Sequence, residues 1–307
     1  MLSLTGGGRS GSTILGNVLG QVGGFFHGGE LCYLWNRGVR QDALCGCGVP
    51  FSKCPVWTEV MRDGAVASFA SSRGRLERFP RAGNRRLPLV MIHPSLSRSV
   101  VADAVHYADQ LMALYTAIAR VTGSRVIVDS SKAPSHVHVL ARMEGIDLRV
   151  VHLLRDPRAV AHSWHRRVQR VDVAKDRPRE QTRTSVGRGA LKWAYSNVMI
   201  GAATRRMPPD RLMRVKYEEF VRDPVAVSSR IAALAGADEA QLPFSSRSDI
   251  VLGPTHTVWG NQNRLRTGPV KLRADEQWKS AMAVSDRILV TALSWPLLLR
   301  YGYPVGG

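Results

Sequence analysis

A chain of 307 residues, 44% hydrophobic and 22% charged, is long enough to bury a sizeable core. That excludes a disordered protein and points to a single α/β domain spanning 1–307. Lys and Arg number 43 against 24 Asp and Glu, and the net charge of +19 attracts nucleic acid, anionic membrane or small polyanions. No run approaches the roughly 20 apolar residues of a membrane span, and Met1–Leu4 is too short for a signal-peptide core, so the expected location is cytoplasmic.

The first element is a short apolar strand, Leu2 to Thr5, brief enough to point to a start upstream of Met1. It runs into "TGGGRSGSTIL". Gly6, Gly11 and Thr13 have the spacing of a triphosphate-binding loop, but Ser12 stands at the lysine position and Arg9 lies before the turn. Loop amides and the start of the next helix converge on one place, which binds an oxyanion without side-chain charge. In that helix Ile14, Leu15, Val18, Leu19 and Val22 share a face, with Gly23-Gly24 as the stop.

Cys45, Cys47 and Cys54 cluster in "CGCGVPFSKC", with Cys32 upstream. This is not a standard zinc spacing, so structural thiols or one local disulfide are expected and no metal; a metal would need a fourth ligand such as His27 or Cys32. Residues 71–86 hold six arginines and one glutamate without clear periodicity and read as a loop. A long amphipathic helix follows, with Val101, Val105, Ala108, Leu111, Met112, Tyr115 and Ile118 on one face and Gly123 as its stop.

Two apolar strands come next. Val126–Val128 leads into Asp129-Ser130-Ser131-Lys132, and Leu148–Leu154 leads into Arg155, an Asp156 N-cap and Pro157 at the first helical position. Runs this apolar mark parallel strands covered on both faces. From His165 to Arg188 eight Lys/Arg face three acids, which reads as a mobile basic loop at about 165–190. A helix around Trp193, a strand in "DRLMRVKYEEFVRDP" and a helix from near Glu218 complete the pattern. The alternation predicts an α/β, P-loop-like three-layer fold: a central parallel sheet flanked by helices, with ligand at the strands' carboxyl ends.

The segments "GGGRSGSTIL" and "LLRDPRAVAHS" resemble the 5′-phosphosulfate loop and the 3′-phosphate segment of sulfotransferases that use 3′-phosphoadenosine 5′-phosphosulfate (PAPS). "CGCGVPFSKCPVW", "VDSSK", "VKYEEFVRDP" and "HTVWGNQNRLRTGPVKLRADEQW" extend the resemblance over nearly the whole chain, toward bacterial and carbohydrate or tyrosylprotein members. The resemblance implies PAPS as donor, adenosine 3′,5′-bisphosphate as product, no metal requirement, and a hydroxyl of a small molecule, lipid or glycan as acceptor. It assigns Gly8, Arg9, Ser10, Gly11, Ser12 and Thr13 to the phosphosulfate and Arg155 with Ser163 to the 3′-phosphate. Arg264, Arg266 and Gly268 resemble the C-terminal loop that closes over that phosphate, although Thr267 interrupts the pattern.

In-line sulfuryl transfer develops charge on leaving and equatorial oxygens, so cations must sit there; Arg9 and Lys132 are the candidates. Small-molecule members carry their catalytic histidine where this chain has Ala133. The proposed base is therefore Glu30, whose distance from Arg9 resembles the glutamate of tyrosylprotein and glycan-type members, with His27 and His136 as substitutes. A carboxylate near an arginine is a weak base unless the acceptor proton moves late. "LCYLWNRG", Trp57 and the Trp193 helix offer apolar surface for an acceptor. The runner-up is a kinase-like phosphotransferase using ATP-Mg, with Asp129 as the metal-holding aspartate. A basic nucleic-acid-binding protein ranks third, because the aromatic interleaving needed for base stacking is missing.

Overall fold

The computed structural model describes residues 1–92, 98–166, 183–237 and 241–306. The chain opens with β1 (Leu2–Gly6), α1 (Ser12–Leu19) and β2 (Phe25–Gly29). A helical excursion follows: α2 (Pro55–Arg62), α3 (Gly64–Ala67), α4 (Arg73–Ile92) and α5 (Arg98–Thr122). Then come β3 (Val126–Asp129), α6 (Pro134–Leu140), β4 (Arg149–Leu154), α7 (Pro157–His165) and α8 (Val186–Ala203). The remainder is β5 (Leu212–Lys216), α9 (Tyr217–Arg222), α10 (Pro224–Leu234), β6 (Asp249–Leu252), β7 (Gly268–Lys271), α11 (Trp278–Ala281) and α12 (Val284–Arg300).

Strands β1–β5 form one parallel sheet in the order β2-β3-β1-β4-β5, and β6 pairs antiparallel with β7 beside it. Side-chain alternation feeds two cores. Leu2, Leu4, Val126, Val128, Val151 and Leu153 face α1, α10 and the β6–β7 hairpin, while Phe26, Ile127 and Val150 face α2, α5 and α6. Helices therefore cover both faces, which is why these strands are nearly uninterrupted apolar runs. Parallel strands also bring every strand end to one edge, so Glu30, Ser130–Lys132, the glycine loop, Arg155 and Tyr217 share it.

The structure departs from the sequence reading in several places. Residues 73–92 are helix α4 rather than a loop, despite Pro80 and Pro88 within it. Leu76, Phe79 and Leu87 are buried, Phe79 stacks on Tyr107 at 4.5 Å, and this packing outweighs poor propensity. Helix α5 keeps the expected inward Leu111, Tyr115 and Ile118, but Val101 and Val105 are exposed. Helix α1 ends at Leu19 with Gly20 as its cap, before Gly23-Gly24, and a side chain at Gly20 would meet His27 Cβ at 2.8 Å. Strand β2, "FFHGG", had no sequence expectation at all. Of the expected basic loop, 167–182 lie outside the described residues.

Candidate active site

The glycine loop is shaped by what packs against it. A Cβ at Gly6 would sit 2.1 Å from Leu153 O, at Gly8 2.8 Å from the Trp164 ring, and at Gly11 2.4 Å from the Tyr217 ring. Gly11 also has φ +91° and Arg9 φ +70°, so the backbone turns sharply into the start of α1. That helix has no side-chain cap, and the buried hydroxyls of Ser10 and Ser12 have no hydrogen-bond partner. Donors converging on a helix N-terminus fit an oxyanion.

Beside the loop, Glu30 and Lys132 form an ion pair, Oε1 to Nζ 2.5 Å, each side chain about one-seventh exposed. Lys132 also donates to Ser130 O at 3.2 Å, and the Glu30 amide donates to Trp259 O at 2.9 Å. The ideal Cβ position of Gly260 lies 3.4 Å from Thr13 Oγ1 and 4.0 Å from Glu30 Oε1, so carboxylate and loop flank one glycine. Strand β2, which ends at Gly29, delivers Glu30 there.

On the other flank the Trp164 ring is approached by two cations, Arg9 Cζ at 5.0 Å and Lys192 Nζ at 4.4 Å. Lys192 keeps solvent contact, yet desolvation lowers its pKa; Glu30 opposes that shift and Arg9 adds to it. Lys192 and Arg9 thus share the Trp164 ring beside the glycine loop. Nothing in the sequence around Lys192 singled it out.

Arg155 follows β4 as expected, and Asp156 caps α7 by accepting from the Arg158 amide at 2.8 Å. Asp156 is also bidentate with the Arg158 side chain, so it does not pair with Arg155. Arg155 donates to the Arg9 carbonyl at 3.0 Å and to Asp275 O at 3.2 Å, and its guanidinium lies 4.4 Å from the Tyr217 ring centroid. The Asp275 carboxylate is 3.2 Å from Arg155 and 3.6 Å from Arg166. Ser163 is buried on the same helix.

Residues 2–241 match the model of the sulfotransferase family. The chain belongs to that family. No curated protein matches it. Among solved structures it is similar to the sulfotransferase domain of the curacin biosynthetic pathway, with TM-score 0.53, 16% identity, and 99% of this chain and 98% of that one covered. It is also similar to the sulfotransferase domain of the Synechococcus PCC 7002 olefin synthase, with TM-score 0.53, 20% identity, and 99% and 94% covered. Both likenesses bear out the α/β fold with its central parallel sheet.

Several sequence expectations for this sulfotransferase change. Asp275 meets Arg155, and Arg273 O accepts from Tyr217 OH at 3.5 Å. Arg264 is buried beside Thr257, Arg266 is exposed, and Gly268 opens β7. The 260–264 stretch instead lines α1 and Glu30, through Asn261 N to Thr13 Oγ1 at 3.4 Å and Asn17 Nδ2 to Asn263 O at 3.3 Å. Neither substitute histidine faces the site. His27 lies under α1 against Gly16 and Gly20, and burial, then Lys132, pushes it down to about 3. His136 is fully buried, with Nε2 on Asp129 at 3.0 Å and Nδ1 2.9 Å from the Tyr107 hydroxyl.

Asp129 also accepts from Tyr115 OH and the Ser131 amide, both at 2.8 Å, and is fully buried. It is a structural hub, which removes the aspartate on which the ATP-Mg reading rested. Trp57 and Trp193 are core residues rather than acceptor surface, and Trp193 Nε1 donates to Arg155 O at 2.9 Å. Among the described residues, no helix is long and apolar enough to cross a membrane.

Proposed function

We propose that this sulfotransferase uses PAPS to sulfate a hydroxyl of a small-molecule, lipid or glycan acceptor, with Glu30 as the base. The observation that carries this reading is the meeting, around Gly260, of the Glu30–Lys132 pair with a loop whose buried Ser10 and Ser12 hydroxyls lack partners. When bound, the donor supplies the sulfuryl group for an in-line displacement. Gly8 to Thr13 hold its phosphosulfate by loop amides and hydroxyls, and Arg155 with Ser163 hold its 3′-phosphate. Arg9 and Lys192 bring positive charge to the side where negative charge develops. Lys132 fixes Glu30 Oε1, which leaves Oε2 to take the acceptor's proton as the hydroxyl attacks.

Arg264, Arg266 and Gly268 remain the proposed loop over the 3′-phosphate; in this structure their segment meets α1 and opens β7. Titration calorimetry with adenosine 3′,5′-bisphosphate is expected to show binding without magnesium. Tight binding of ATP-Mg with none of the bisphosphate would overturn the proposal. Within it, Glu30→Gln is expected to lower kcat by about 10²- to 10⁴-fold while bisphosphate affinity stays unchanged. Acceptor class is read by screening hydroxylated compounds with a labelled sulfate donor.

A further inference from the structure

Away from the reaction edge, Cys45, Cys47, Cys54 and His256 bring three sulfurs and one imidazole nitrogen within 4.8 Å of one another. Cys45 Sγ is 3.5 Å from Cys54 Sγ, and Cys54 Sγ is 3.2 Å from His256 Nδ1. All four cysteines of the chain are free thiols, so of the two expected arrangements it is the structural thiols and not the local disulfide that is found. The fourth group is neither His27, which sits on Ser130, nor Cys32, whose amide is on Ser131. It arrives from 202 residues beyond Cys54.

We infer that Cys45, Cys47, Cys54 and His256 form a structural zinc site. Three thiolates and an imidazole are a soft donor set with four members, which satisfies tetrahedral Zn²⁺ and leaves no open position for catalysis. Bonds of about 2.3 Å to sulfur and 2.0 Å to nitrogen place ligand atoms somewhat under 4 Å apart, close to the spacings found here. Binding releases the three thiol protons to solvent and changes no oxidation state.

The local backbone is arranged for this. Cys45 N donates to Val49 O at 2.7 Å and Gly48 N to Cys45 O at 2.9 Å, a tight turn closed by the Leu44–Pro50 bridge. Gly48 has φ +89°, and a Cβ at Gly46 would lie 2.5 Å from the hydroxyls of Thr255 and Thr257. Cys54 precedes α2, Phe26 stacks on the His256 ring at an interplanar angle of 7°, and Trp57 Nε1 holds His256 O at 2.7 Å. The Phe26 stack orients the imidazole and the Trp57 bond holds the His256 backbone.

The ion would staple the cysteine turn to the segment leading to Trp259, whose carbonyl holds the Glu30 amide, and to Gly260. Its role is to hold that wall of the site.

The test is metal analysis of the purified full-length protein under reducing conditions, after dialysis against metal-free buffer. About one zinc per chain is expected, and exchange with Co²⁺ should give the visible spectrum of tetrahedral thiolate coordination. Cys47→Ser, at the most exposed of the three thiols, should weaken zinc affinity at least about tenfold, whereas His256→Cys should retain zinc. The proposal is overturned if the wild-type protein, reconstituted with Zn²⁺, retains less than about a tenth of an equivalent. It is equally overturned if mass analysis finds a native Cys45–Cys54 disulfide, or if Cys47→Ser and His256→Ala bind zinc as tightly as the wild type.

Discussion

The two proposed anion-binding ends of this site differ in how far the protein already satisfies them. At the glycine loop the hydroxyls of Ser10 and Ser12 are buried with no partner, and α1 lacks a side-chain cap. At Arg155 the guanidinium already holds the Arg9 carbonyl, the Asp275 carbonyl and the Asp275 carboxylate. The first end is preorganised for an oxyanion, and the second carries an internal carboxylate where an incoming phosphate would bind. On the proposed function, ligand exchanges with Asp275 at one end and only desolvates donors at the other.

The largest effect should come from breaking the preorganised end. Gly11→Ala combines a left-handed φ with a 2.4 Å approach to Tyr217. A destabilisation of about 2–6 kcal/mol is expected, visible as a lower melting temperature, together with loss of bisphosphate binding. Arg155→Ala breaks the other end and should weaken bisphosphate binding by about 10- to 150-fold, the range of charge-assisted hydrogen bonds, with less change in kcat. If both variants bound the bisphosphate normally, the two-ended site would be wrong.

How legible each end was follows from contact distance along the chain. The strand, loop and helix from Leu2 to Leu19 form a local unit whose glycine spacing carries its geometry, and "LLRDP" likewise encodes a strand end, an N-cap and a first-turn proline. Asp275 was missed because it meets Arg155 across 120 residues and no local pattern announces that pairing. His256 was missed for the same reason. Strand β2 escaped because "FFHGG" is short and rich in glycine, and β3 rather than propensity holds it in the sheet. Lys192 looked like any helix-surface lysine until the fold set it over Trp164.

Lys192 supplies a pH test of the loop end. Its pKa is lowered from 10.5, so in the window below that value it loses its proton while an ordinary lysine keeps one. Anion affinity that uses its charge should fall as pH rises through that window, by about fivefold, and Lys192→Arg should abolish the fall. Stability takes the opposite sign. The unfolded chain binds more protons there, so the Lys192 contribution to stability rises with pH.

The smallest expected effect is also the one that most directly separates the two ends. Asp275→Asn removes the carboxylate charge from Arg155 and Arg166 but keeps the side chain's size and the main-chain acceptor for Arg155. The Asp275 side chain is 30% exposed, so solvent screens the pair and its removal is worth about 0.5–1 kcal/mol. If the carboxylate competes with the 3′-phosphate, the variant should bind adenosine 3′,5′-bisphosphate about two- to fivefold more tightly. Adenosine 5′-monophosphate, which lacks that phosphate, should bind both proteins alike. Equal tightening for both nucleotides would mean that Asp275 acts only through general charge, and weaker binding of the bisphosphate would make the carboxylate a positioning group for Arg155 rather than its internal competitor.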